Sequence, residues 1–272
     1  MHHITDKLHE ECGVFGIRSN REDVVNSVYH GLYALQHRGQ ESCGIAINDD
    51  GIITGHKGVG LVSEVFTKDA IEKLPRGNMA IGHCRYSTAG GLSVVNAQPL
   101  VIRHIKGTMA IAHNGNLTNA AALKEELELT GAIFHTTSDT EVISYTIIRE
   151  RLSSSSIEEA ISRAMMKIQG AYSLVIMSPK KLIAVRDPLG FRPLCIGKAG
   201  EDYVIASESC ALDSVGAAFV RDVKPGEIVV IDEEGMRSIE DNCIPGKKSA
   251  CVFEFIYFAR PDSVIDGSCV HT

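Results

Sequence analysis

Several patterns that would settle the class of this chain at once are missing from it. No apolar run approaches the roughly 18 residues that a membrane-spanning helix needs. There is no stripe of Lys and Arg, and a formal net charge of −7 argues against nucleic acid or an anionic membrane as a partner. The leader from Met1 to Glu11 holds three His, two Glu and one Asp but no apolar core, so it does not read as a secretory signal. None of the eight cysteines forms a C-x-x-C pair. Scattered through a chain with no export signal, they read as reduced cytoplasmic thiols rather than a disulfide framework, and their spacing supports no isolated zinc site. Internal repeats and low-complexity segments are absent too.

What remains suits a globular protein. The 272 residues are 44% hydrophobic and 22% charged, enough for one large domain or two small ones. Val24, Val28, Leu32 and Leu35 recur at helical spacing. Strands are predicted at 43–48 and 52–57, joined by the Asp49-Asp50-Gly51 turn, and again at 79–83 and 108–112. Ser138-Asp139-Thr140-Glu141 and Ser156-Ile157-Glu158-Glu159 fit capping boxes that open helices, and a further helix covers 119–129. Beyond Gly170 come short strands at 172–177, 182–185, 194–196, 203–206 and 227–231. Most strands are joined by hairpin-like turns, which predicts an α+β fold of largely antiparallel sheets covered by helices. Lys247-Lys248 marks a boundary within 236–250, and the apolar run at 250–259 reads as a strand opening a new element.

The chemistry centres on Glu10-Glu11-Cys12-Gly13-Val14-Phe15-Gly16-Ile17. If the bond before Cys12 is cut, one residue carries both a thiol and an α-amine. An α-amine titrates at about 7.7–8.0, low enough to serve as general base beside the nucleophile. Three further polar stretches lie at the ends of apolar segments, where binding groups are usually placed. Arg85, with Thr88 nearby, can grip a carboxylate through two parallel hydrogen bonds. Asn114 and the Gly115 N–H can form a two-donor oxyanion hole, although Asn-Gly is also the commonest hairpin turn. Asp139, in the first turn of a helix, either serves the helix dipole or receives an ammonium group. His30, His37, His83 and His113 could supply a papain-like partner for the thiol, or be structural. Taken together, a guanidinium and a carboxylate describe an α-amino acid, and a thiol with oxyanion donors addresses an acyl carbon on it. Glutamine is the obvious candidate.

Five stretches carry a closer resemblance. They are Glu11-Cys12-Gly13-Val14-Phe15-Gly16-Ile17, Leu35-Gln36-His37-Arg38-Gly39-Gln40-Glu41, Gly82-His83-Cys84-Arg85-Tyr86-Ser87-Thr88-Ala89-Gly90, Ala112-His113-Asn114-Gly115-Asn116-Leu117 and Thr136-Thr137-Ser138-Asp139-Thr140-Glu141. In this order the chain resembles the glutamine phosphoribosylpyrophosphate amidotransferases, also called amidophosphoribosyltransferases, from about residue 10 to its end. The resemblance implies a four-layer αββα sandwich of the N-terminal nucleophile (Ntn) hydrolase type. It implies a propeptide at 1–11, a glutaminase domain at 12–240, and at 241–272 a linker with the start of a phosphoribosyltransferase domain. Cys12 would be the nucleophile, and Asn114 with Gly115 the oxyanion hole. Arg85 and Thr88 would hold the substrate carboxylate, Asp139 its ammonium, and Arg38 and Gly39 would sit in a loop closing over glutamine. Cys251, ahead of Phe253-Glu254-Phe255-Ile256-Tyr257-Phe258-Ala259-Arg260-Pro261-Asp262, matches one ligand of a [4Fe–4S] cluster. The resemblance further implies Mg2+ and phosphoribosyl pyrophosphate for a sugar-phosphate half not seen here, a homo-oligomer, and a cytoplasmic role opening purine synthesis. The glutaminase domains of glucosamine phosphate synthase or asparagine synthetase, and a non-catalytic glutamine-sensing module, are the competing readings.

Overall fold

The computed structural model describes residues 12–21, 23–86 and 93–271. Its strands are β1 (Gly13–Arg18), β2 (Ser42–Asp49), β3 (Ile52–Val59), β4 (Met79–Arg85), β5 (Leu100–His104), β6 (Gly107–Leu117) and β7 (Gly170–Met177). They continue as β8 (Leu182–Arg186), β9 (Cys195–Ala199), β10 (Asp202–Ala206), β11 (Ala218–Asp222), β12 (Ile228–Asp232) and β13 (Gly235–Ile239). The helices are α1 (Val25–Ala34), α2 (Val62–Val65), α3 (Lys68–Glu72), α4 (Ala120–Leu129), α5 (Asp139–Arg151), α6 (Ile157–Met165) and α7 (Ser209–Ser214).

Seven strands form one sheet in the order β11-β9-β10-β1-β4-β2-β3, and six form a second in the order β13-β12-β8-β7-β6-β5. The pairing within each is antiparallel, as the short connections predict. Side chains alternate between two faces along each strand, and that alternation builds three apolar layers. Phe15, Ile17, Ile45 and Ile47 point outward from the first sheet onto Val25, Val28 and Leu32 of α1 and Ala211 and Leu212 of α7. Ile111, Leu174 and Ile176 point outward from the second onto Leu123, Val142, Ile143, Ala160 and Ile161 of α4, α5 and α6. Between the sheets lie Val14, Ala46, Ile81, Ala110, Ala112, Val175 and Ala184. The result is an αββα sandwich, the Ntn hydrolase architecture.

Most elements fall where the patterns put them, with ends shifted by a few residues. The Asp49-Asp50-Gly51 turn is realised with Asp50 and Gly51 both at positive φ, as a two-residue hairpin turn requires. Two expectations need correcting. Asn114 and Gly115 form no hairpin turn: β6 runs straight through them and pairs them with Ser173 and Tyr172 of β7. The run at 250–259 is not a strand, since Glu254–Phe258 coils as one helical turn. Glu254 draws the run inward, because its buried carboxylate bonds Arg38 and Arg192 while Phe253, Ile256 and Tyr257 stay exposed. Nor does the segment stand apart from the body. Ser249 and Cys251 donate backbone bonds to Leu189 and Phe191, and Asp266 takes both ends of the buried Arg186 guanidinium.

Candidate active site

Cys12 stands just ahead of β1, near the middle of the first sheet. By alternation it shares a face with Val14, which lies in the layer between the sheets. Its Sγ lies 3.7 Å from the Tyr86 carbonyl, and its own carbonyl accepts from Arg38 Nε at 3.1 Å. From the second sheet, Asn114 shares the inter-sheet face of β6 with Ala110 and Ala112. Its side chain is fully buried, and neither amide atom has a hydrogen-bond partner among the described residues. An unpaired buried amide costs about 1–3 kcal/mol unless water or a ligand satisfies it. Gly115 sits beside it at φ +145°, where a Cβ would lie 2.1 Å from the Ala171 carbonyl oxygen. Only glycine fits there.

Cys12, Arg85, Gly115 and Asp139 line one cavity of about 300 Å³. Arg85 ends β4 and is almost wholly buried, with the Glu41 carboxylate 4.0 Å from its guanidinium. Asp139 opens α5 behind the Ser138 cap, and one of its oxygens accepts the Leu117 N–H at 2.9 Å. Burial works to raise its pKa. The neighbouring His113, 3.5 Å away, and the backbone N–H groups of Leu117 and Thr140 outweigh that and hold the carboxyl below its usual range. Asp139 therefore stays an anion at neutral pH. The cavity thus offers a cation at one point, an anion at another and a thiol between the sheets, while the buried Asn114 amide stands next to the lining residue Gly115 and does not itself line it.

Arg38 is placed differently from the expectation of a loop over the substrate. Its side chain is buried beneath Cys12, where it pairs with Glu208 at 2.6 Å and with both oxygens of Glu254 at 2.9 Å. Burial would lower its pKa, but Glu254 and Glu208 reverse that and fix the charge. Glu208 answers in kind: burial pushes its carboxyl up, and Arg38 and His37 pull it far below the usual range. Two internal carboxylates claim this guanidinium, so it supports the nucleophile's backbone rather than touching substrate. Gly39 follows in extended backbone, so close to β4 that a Cβ would meet the Arg85 backbone at 2.6 Å. Thr88 lies outside the described residues.

Cys251 is buried and reduced. Among the described residues no group of three or more His, Cys, Asp or Glu is arranged to hold a metal. One thiolate does not hold a cluster that takes four, so these residues do not by themselves fit an iron–sulfur group.

The sequence reading missed several cavity residues. Gln98, Thr136, Thr137, Lys124 and Phe134 all line it. Thr137 is braced by the buried Asn96 through two bonds, and Thr136 by Glu141. Of these, Thr136 and Thr137 stand directly before the capping box, which was the one available signal.

A thiol that shares one cavity with a guanidinium, a carboxylate and the Gly115 backbone, between two antiparallel sheets, is an arrangement suited to a glutamine amidotransferase domain of the Ntn fold. A family model of that domain matches residues 83–214. The amidophosphoribosyltransferase of Bacillus subtilis is 48% identical over 266 residues, 97% of this chain and 55% of that protein. The one from Methanocaldococcus jannaschii is 46% identical over 275 residues, 96% of this chain and 58% of that protein. The solved glutamine phosphoribosylpyrophosphate amidotransferase of B. subtilis, complexed with ADP and GMP, matches with a TM-score of 0.88 at 46% identity, covering 96% of this chain and 55% of that one. Over nearly its whole length the chain is similar to one portion of these amidophosphoribosyltransferases. It spans a little over half the length of those relatives.

Proposed function

We propose that this chain hydrolyses the side-chain amide of glutamine, with Cys12 as an N-terminal nucleophile once residues 1–11 are removed. The observation that carries the reading is the single cavity shared by Cys12, Arg85, Gly115 and Asp139. Arg85 takes the substrate α-carboxylate in a charge-assisted pair, and Asp139 takes the α-ammonium. Thr88, outside the described residues, is assigned to the substrate α-carboxylate on the resemblance of its motif alone. The free α-amine of Cys12, with a pKa of about 7.7–8.0, accepts the thiol proton. The thiolate adds to the amide carbon, and the oxyanion is received by the Asn114 amide and the Gly115 N–H. As the C–N bond breaks, the protonated amine returns its proton to the departing nitrogen, which leaves as ammonia. Water, activated by the same amine, then cleaves the thioester to give glutamate and restore the thiol.

The ammonia would serve amination of phosphoribosyl pyrophosphate to phosphoribosylamine, the first step of purine synthesis, through an acceptor half of the kind the longer relatives' names denote. In such a protein Cys251 would be one ligand of an iron–sulfur cluster and Mg2+ would accompany the sugar diphosphate. Neither enters glutamine hydrolysis. We place the protein in the cytoplasm and expect a homo-oligomer of the longer form, and the eight reduced cysteines accord with that compartment. Among the described residues no helix is long and apolar enough to cross a membrane. Glutamate release by the processed protein and by Cys12→Ser tests the reading. The variant is expected to fold and to release none; normal turnover by it would overturn the assignment.

A further inference from the structure

His113, the residue ahead of Asn114, has its backbone held from outside its own strand pairing. β5 and β6 pair from His104 opposite Gly107 to Leu100 opposite Ile111. Two residues further, Gln98 would stand opposite His113, but there the chain has turned toward the other sheet. The Gln98 carbonyl lies against Gly44 of β2, so close that a Cβ on Gly44 would come within 2.3 Å of its oxygen. Side chains fill the positions left open on His113. Gln98 Oε1 accepts the His113 N–H at 2.7 Å. His83 Nε2 lies 3.0 Å from the His113 carbonyl; a carbonyl only accepts, so that nitrogen carries the proton. His83 projects from β4, the strand that ends in Arg85, and both clamping side chains are buried.

We propose that Gln98 and His83 are positioning residues that clamp the strand bearing Asn114 and Gly115 at a fixed distance from Cys12. The proposal rests on the glutaminase reading above. The nucleophile belongs to one sheet and the oxyanion donors to the other. The layer between the sheets is built mainly of Val14, Ala110, Ala112 and similar apolar side chains. Other side-chain bonds across it, such as Asn48 to the Pro179 carbonyl and Arg221 to Ser238, involve neither the strand bearing Asn114 nor β4. Hydrogen bonds are directional, and these two hold the peptide groups on either side of the His113 Cα, the second of which leads into Asn114. Gln98 couples the oxyanion strand to β2 through its backbone, and His83 couples it to β4.

The test is steady-state glutamine hydrolysis by Gln98→Met, which removes the acceptor at nearly constant volume, and by Gln98→Glu, which keeps it. Labelling of Cys12 by 6-diazo-5-oxonorleucine and urea unfolding are run alongside. Because an error of about 1 Å in placement can cost about a hundredfold, Gln98→Met is expected to lower kcat about ten- to a hundredfold, with KM within about threefold. Gln98→Glu is expected to keep kcat within about fivefold of the parent. Parent-like kcat in Gln98→Met, or equal losses in both variants, would overturn the clamp. If Gln98→Met does not fold, His83→Phe against His83→Gln decides by the same criterion. A folded parent that neither hydrolyses glutamine nor takes label at Cys12 would instead refute the underlying glutaminase reading, and the clamp with it.

Discussion

Acidification should destabilise this fold well before Asp139 and Glu208 begin to protonate, and His83 is the reason. The imidazole is fully buried between β4 and β6 and donates to the His113 carbonyl. Burial pushes its pKa down to about 3. The His113 bond opposes that shift in part, and the nearby His113, Arg85 and Lys57 add to it. In the unfolded chain the ring titrates near 6.5. The folded value lies below the unfolded one, so between about pH 3 and 6.5 the unfolded chain binds a proton that the native one refuses. Stability from this group is therefore complete above about pH 6.5 and falls as the pH drops. At pH 5 the loss is 2.303RT·log(1 + 10^1.5), about 2 kcal/mol, and the limiting loss is about 5 kcal/mol at 1.36 kcal/mol per unit. Asp139 and Glu208, whose pKa values are lowered, lose stability only at more acid pH. Asp187 and Asp222, whose pKa values burial raises, contribute with the opposite sign as the pH falls, so the comparison with His83→Gln isolates His83. His104, pulled down by burial but partly exposed, adds a smaller contribution of the same sign. Urea unfolding at pH 7.5 and pH 5, for the parent and for His83→Gln, measures the effect. The glutamine keeps a donor and does not titrate, so most of the difference should vanish. The same pH dependence in both proteins would refute the reasoning.

Other perturbations follow from the same geometry. Gly115→Ala puts a Cβ 2.1 Å from the Ala171 carbonyl at a φ of +145°, so it should cost about 1–3 kcal/mol in unfolding free energy and most of the turnover. Asp139→Asn removes the cavity anion proposed to take the substrate ammonium. At about 1.5–3 kcal/mol for a charged hydrogen bond, KM for glutamine should rise roughly 10- to 150-fold with kcat changed far less. Arg38→Met takes the shared guanidinium from two buried carboxylates, leaving Glu208 to His37 and Glu254 to Arg192, and should cost about 3–5 kcal/mol in thermal or urea unfolding.

The sandwich was largely legible because its signals are local. Strand alternation, the Asp50-Gly51 turn and the Ser138 and Ser156 caps act within a few residues, and the structure keeps them. Cys12, Arg85, Gly115 and Asp139 were legible as residue types suited to one substrate, and the fold brings them to one cavity. The failures all involve distant partners. Asn114-Gly115 has the chemistry of a turn, but pairing with Ser173 and Tyr172 of β7 overrides it. The apolar run at 250–259 looks like a strand until Glu254 meets Arg38, more than two hundred residues away in sequence. Gln98 carries no local signal, because its importance comes from a strand that ends early and a peptide group on the neighbouring one. Propensity and spacing do not encode such pairings; tertiary contact does.

The most direct test is the mass of the N-terminal peptide after the protein has met 6-diazo-5-oxonorleucine, with and without excess glutamine. The account predicts a chain beginning at Cys12, one equivalent of label on that residue, and protection by glutamine. Glutamine hydrolysis by protein that still carries residues 1–11, or label residing on any other cysteine, would contradict it.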